Sequence, residues 1–296
     1  MVRSNLLSRI IAVPFVLVSS AALASESGVG QADSVLLDSL TRSYISSTDS
    51  LDGDFAEKGI SDEKSRSVGL DVVTSENVDV YAVPLSHGMP MSLLGGQEYL
   101  NLNADIPYVK VESPAGNESG LGDIKLGAEY FVKQQGAIVK AAVDLKLPTG
   151  DVDKFLGTDS TDIGLSLTGR KREALLGYNA TAAYVIRGEG DVAGGTLDYG
   201  NTLSLSGGAE YKLGDALWGG VNGAYVRTGT SEINNFETDG LQTFDIIPNV
   251  SYDLNVGMSV VASLVIPVYE GVVDGDAPGD EPDREVSMSL SFSSDF

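Results

Sequence analysis

Val139, Ala141, Val143, Leu145 and Leu147 alternate with Lys140, Ala142, Asp144 and Lys146. A β-strand sends successive side chains to opposite faces, so this stretch predicts a strand with one oily and one polar side. The same phase continues along the chain. Asp123, Lys125 and Glu129 oppose Ile124, Leu126, Ala128 and Tyr130; Glu210 and Lys212 oppose Leu203, Leu205, Ala209 and Tyr211; Asp245 and Asp253 oppose Phe244, Ile246, Val250 and Tyr252. Asp105 and Arg170 join the same charged set. Residues 78–85 and 218–226 are the less regular segments, apolar on nearly both faces. The pattern predicts about twelve strands, starting near residues 67, 78, 99, 122, 137, 162, 177, 201, 216, 241, 258 and 285.

The joins between these strands carry a second pattern. Tight joins at residues 133–136, 172–175, 213–215 and 254–257 alternate with long ones at 148–161, 188–200, 228–240 and 271–283. A soluble sandwich has no reason to keep that parity, whereas outer-membrane barrels have short periplasmic turns and long external loops. The predicted fold class is therefore all-β: a transmembrane antiparallel β-barrel of about twelve strands in an up-and-down meander. A Lys or Arg facing lipid at mid-bilayer costs about 2–4 kcal/mol, which accounts for charges keeping to one face. That face would line the lumen with Asp105, Asp123, Lys125, Glu129, Lys140, Asp144, Lys146, Arg170, Glu210, Lys212, Asp245 and Asp253. Tyr99, Tyr108, Tyr130, Tyr178, Tyr211, Tyr252 and Tyr269 fall near strand ends, where an interfacial girdle belongs.

The two ends of the chain bear on compartment. Arg3 and Arg9 precede a short apolar run, and Ala22-Leu23-Ala24 has the small-x-small form of a cleavage site, so residues 1–24 read as a signal peptide. Residues 25–65 are rich in Ser, Asp and Gly and read as a flexible periplasmic leader or a plug, with residues 66–296 as the barrel. The last strand ends on Phe292 and Phe296, which resembles the assembly signal of bacterial outer-membrane barrels and implies contact with the barrel-assembly machinery. The expected location is the outer membrane of a Gram-negative bacterium, with membrane lipid and lipopolysaccharide as surroundings and a monomer as the assembly.

Composition narrows the chemistry. The 296 residues carry a net charge of -23, which disfavours nucleic acid and anionic partners. No cysteine is present, so disulfides and thiolate chemistry are excluded. Mean hydropathy is +0.04, far below a helical membrane protein and ordinary for a barrel whose strands show lipid only one face. The single histidine, His87, is read near a periplasmic turn and leaves a Ser-His mechanism without a base at the outer rim, so no catalytic residues are assigned. No His or Cys spacing suits a metal, and no cofactor is expected. Acidic residues crowd the long loops, among them Asp153, Asp159, Glu189, Asp191, Glu232, Asp239, Asp274, Asp276 and Asp280. They keep the loop tips solvated or, in the alternative reading, bind cations at the cell surface.

Three further motifs stand in order: Val83-Pro84-Leu85-Ser86-His87-Gly88, then Ser119-Gly120-Leu121-Gly122-Asp123, then Leu147-Pro148-Thr149-Gly150-Asp151. Together they resemble the family named for the MetA pathway of phenol degradation. The resemblance covers residues 66–296 and implies an outer-membrane barrel that takes up small apolar or aromatic solutes. It assigns no catalytic residue. By turn chemistry alone Gly120, Gly122, Pro148, Gly150 and Asp151 shape the rim rather than bind a ligand. The expected function is thus a passive channel or transporter for small solutes. A closed structural or surface-interaction barrel is the alternative, and an outer-membrane lipid enzyme is disfavoured.

Overall fold

A computed structural model describes residues 15–19, 65–68, 70–74, 79–93, 98–113, 116–134, 136–154, 156–192, 195–198, 200–233, 236–253, 258–273 and 286–294. Among the described residues twelve strands of the main sheet run up and down in sequence order. They are β1 (Leu70–Thr74), β2 (Asp79–Ser92), β3 (Glu98–Ser113), β4 (Ile124–Gln134), β5 (Ala137–Leu147) and β6 (Asp162–Arg172). The second half holds β7 (Leu176–Ile186), β8 (Thr202–Lys212), β9 (Leu217–Thr228), β10 (Gly240–Asp253), β11 (Met258–Val273) and β12 (Ser287–Ser294). Every consecutive pair is antiparallel. The strand starts fall within three residues of those the alternation predicts.

Side-chain polarity is inverted relative to a soluble protein. Along β5 burial alternates with sequence: Ile138, Lys140, Ala142 and Lys146 are buried, while Val139, Ala141 and Val143 are exposed. Leu102, Ile106, Leu126, Leu165, Leu167, Leu205, Val221, Ile246, Val250 and Leu264 are likewise exposed. An oily outer surface of this extent is stable only against lipid. Strands of eleven residues, such as β5 to β8, rise about 36 Å and at a tilt of about 40° span about 28 Å along the axis, which matches a membrane's apolar band. Tyr130, Tyr178, Tyr211 and Tyr252 stand exposed beside the tight turns, and Tyr108, Tyr184 and Tyr269 near the long-loop end. Tyr99 departs from the expected girdle: it points inward and packs with Phe131 and Ile138.

Three differences from the predicted layout have local causes. The join after β3 is itself a strand: Gly116–Leu121 pairs back onto β3, and Gly116 turns at φ 145°, a conformation suited to glycine. In the joins at 188–200 and 228–240, Glu189–Val192, Gly195–Asp198, Ser231–Ile233 and Phe236–Thr238 form a second, four-stranded sheet at the long-loop end. Between Phe244 and Asp245 the register of β10 on β11 shifts, a bulge at Val268 that turns Tyr269 outward beside Phe244.

At the seam, Phe15–Ser19 pairs in parallel with β1 and lies against β12. Ser65–Val68 continues the edge beyond β1 by pairing with β2. The rest of the expected leader and Phe296 lie outside the described residues, as does the side chain of Phe292, whose backbone registers with Val260.

Candidate functional site

The charged residues of the common phase sit on the inner wall in three groups. The first is at the long-loop rim. Lys146 is 3 % exposed and lies between two carboxylates, 2.8 Å from Asp162 Oδ2 and 3.4 Å from Asp123 Oδ2. Its Nζ also donates to Thr158 Oγ1 and, at 3.0 Å, to Ser160 Oγ. Asp123 accepts four bonds: from the Thr149 and Gly150 N–H groups at Oδ1 (3.1 and 2.9 Å), and from the Thr158 N–H and hydroxyl at Oδ2 (3.0 and 3.1 Å). Asp162 accepts from Ser160 Oγ at 2.9 Å and from the Gly188 N–H at 3.2 Å.

This group explains why the two glycine motifs occur together. Thr149 accepts the Ile124 N–H through Oγ1 and donates the same hydroxyl to Gly122 O, both at 2.9 Å. Gly122 N–H donates to Pro107 O, and Asp151 O accepts the N–H groups of Lys154 and Leu156. A Cβ on Gly122 would stand 2.8 Å from Val109, and one on Gly157 would overlap the Asp123 carboxylate. The motif residues Gly120, Gly122, Asp123, Thr149, Gly150 and Asp151 therefore interlock two joins at one rim, with Pro148 ending β5.

The second group lies on β3 to β5. Lys140 Nζ is 3.1 Å from Glu129 Oε1, and Asn101 donates to Glu129 Oε2 at 2.9 Å. Asp144 and Asn103 lie over Gly127, where a Cβ would overlap both. Asp105 registers beside Lys125 on the neighbouring strand. The third group, nearer the tight turns, gathers Arg170 and Arg172 on one oxygen of Glu210, at 3.1 and 2.8 Å. Arg172 stacks 4.2 Å from the ring centre of Trp218, and Lys212 approaches the same ring at 5.7 Å. Asp245 and Asp253 lie on β10.

Asp162 and Arg172 share the phase of Arg170 on β6, so the alternation held the signal for both. Trp218 was hidden because both faces of its segment look apolar. Thr158 and Ser160 are in a join, where no periodicity exists to place them. His87 lies within β2, paired with Ala104, not at a turn; it shares its face with exposed Leu85, Met89 and Met91. Among the described residues no group of His, Cys, Asp or Glu is placed to hold a metal ion. The acidic residues from Asp274 to Asp283 lie outside the described residues.

Inward side chains differ in burial along the wall. On β5 and β6 Lys140, Ala142, Lys146, Asp162 and Thr168 are buried, and Asp144, Ser166 and Arg170 partly exposed. On β7 to β10 Val185, Thr202, Trp218, Ala224 and Thr243 are buried, while Asn179, Thr181, Ser204, Ser206, Asn222, Asp245, Ile247 and Asn249 remain partly exposed, although their strands show the membrane the opposite face.

Comparison with known proteins agrees with this architecture. The chain is similar to an outer membrane channel from Pseudomonas putida F1, with a TM-score of 0.60 and 14% identity over 79% of this chain and 92% of that one. It aligns more loosely with a porin (TM-score 0.37, 13% identity, 75% of this chain and 63% of that one). The β domain of a Bordetella autotransporter gives 0.40 at 14% identity, over 74% and 91%. No curated protein matches the sequence. A family model matches residues 65–270, more than half of the chain, and on that match the chain belongs to the family described as "Putative MetA-pathway of phenol degradation".

Proposed function

We propose that this protein is an outer-membrane channel that passes small solutes by passive diffusion. The partly exposed inner wall of β7 to β10 carries the reading: those side chains face away from lipid, so their exposure means unfilled space inside the barrel. Twelve strands spaced about 4.8 Å apart and tilted about 40° give about 24 Å between opposite backbones, and side chains from both walls leave roughly half of that. The family and the channel-like fold support the same reading. The wall is mixed in charge, without an excess of inward Lys and Arg, and shows the partly exposed apolar Ile247, which suits small apolar or aromatic solutes better than anions. The protein acts without catalysis: its one histidine stands on the outer face of β2.

In this reading export removes residues 1–24. That would free the seam of Phe15–Ser19 and leave β1 and β12, which run antiparallel, to close the wall. The test is reconstitution of the mature barrel in planar bilayers and liposomes. Stepwise conductance and swelling in small neutral solutes are expected; their absence overturns the channel. A second reading, a closed barrel, draws on the buried rim group around Lys146, and the same measurement decides between the two.

A further inference from the structure

The geometry points to residues 156–160 as the size filter of this channel, locked against the inner wall by Lys146. The inference rests on the channel reading above and adds the element that sets its aperture. Lys146, Asp123 and Asp162 belong to three adjacent strands or strand ends and all face inward, so Thr158 and Ser160, which bond them, lie inside the mouth rather than above it. Leu156 is buried too, and its Cδ1 stands 2.8 Å from where a Cβ on Gly120 would be. The segment is thus held at both ends, by an apolar anchor at Leu156 and a polar one at Ser160. Asp159 between them takes φ 52°, a left-handed conformation that surrounding contacts must hold.

Lysine is a costly way to fill buried space. Well-packed apolar side chains in place of all three charges would often stabilise such a site as well or better, so a buried Lys between two Asp is better explained by the one arrangement it selects than by net stability. Here that arrangement fixes a loop to the wall. Lys146 and Asp162, which hold the segment, are buried beneath it, and partly exposed inward side chains stand on β7 to β10. A solute would pass between the segment and the wall of β7 to β10.

The full mature barrel is compared with Lys146→Met, and with a variant in which residues 152–160 are replaced by Gly-Ser. Single-channel conductance and liposome swelling are read over neutral saccharides of increasing size, and a heat-modifiable gel shift confirms that each barrel is folded. Both variants are expected to conduct more and to admit larger saccharides. Adding Gly120→Cys and Leu156→Cys to Lys146→Met should restore the original cut-off when oxidised and lose it on reduction; the chain has no other cysteine to interfere. Folded variants with unchanged conductance and cut-off overturn the filter and leave the channel standing. No conductance from any barrel overturns both. A wild-type barrel that is silent while the loop replacement conducts supports the segment as the obstruction and overturns only the open channel.

Discussion

Asp123 shows how much one side chain organises. It accepts four hydrogen bonds and faces a buried lysine, so Asp123→Ala would strand three backbone donors and unbalance Lys146. We expect a loss of about 3–5 kcal/mol in the urea unfolding free energy of the reconstituted barrel, with Asp123→Asn losing clearly less. Gly157→Ala should cost about 1–3 kcal/mol by forcing a methyl into the space of that carboxylate. The alternating phase put Asp123 on the inner face and turn chemistry put its motif at the rim. The partnership of Asp123 with Thr158 was out of reach, because it joins residues 35 apart through a loop with no period.

At the level of strands the sequence was nearly transparent, and the reason is physical. Lipid on one side and a polar wall on the other impose a strict two-residue period that no turn or loop can imitate. Leu167 stands mid-strand on β6 and is 55% exposed. Leu167→Arg should cost about 2–4 kcal/mol in vesicle-folding titrations, whereas Tyr178→Arg, near the tight-turn interface, should cost about 0–1 kcal/mol. Equal costs at both positions would contradict the placement of the bilayer. What the period could not show were the short strands at 189–198 and 231–238, each three or four residues long, too brief to establish a phase. The tyrosine that turned inward, Tyr99, was misplaced for a related reason: proximity to a strand end does not say which face a residue takes.

The whole molecule carries its own reporter of inside and outside. Trp218 is the one tryptophan, and it is 6% exposed on the inner face. Brominated lipids should quench its emission weakly, and quench a Trp218→Phe, Leu167→Trp barrel strongly; the reverse order would mean the wall is assembled inside out. A last consequence follows from the glycines beneath the inner polar groups. Gly127 lies under Asn103 and Asp144, Gly177 under Glu210, and Gly208 under Asn222. Each is a notch in which a polar chain lies flat along the wall instead of reaching toward the axis. Filling a notch with alanine would tip its neighbour inward and narrow the bore without altering a single charge. The calibre of this tube and the polarity of its lining are therefore set at different positions, and each can drift through mutation while the other is kept.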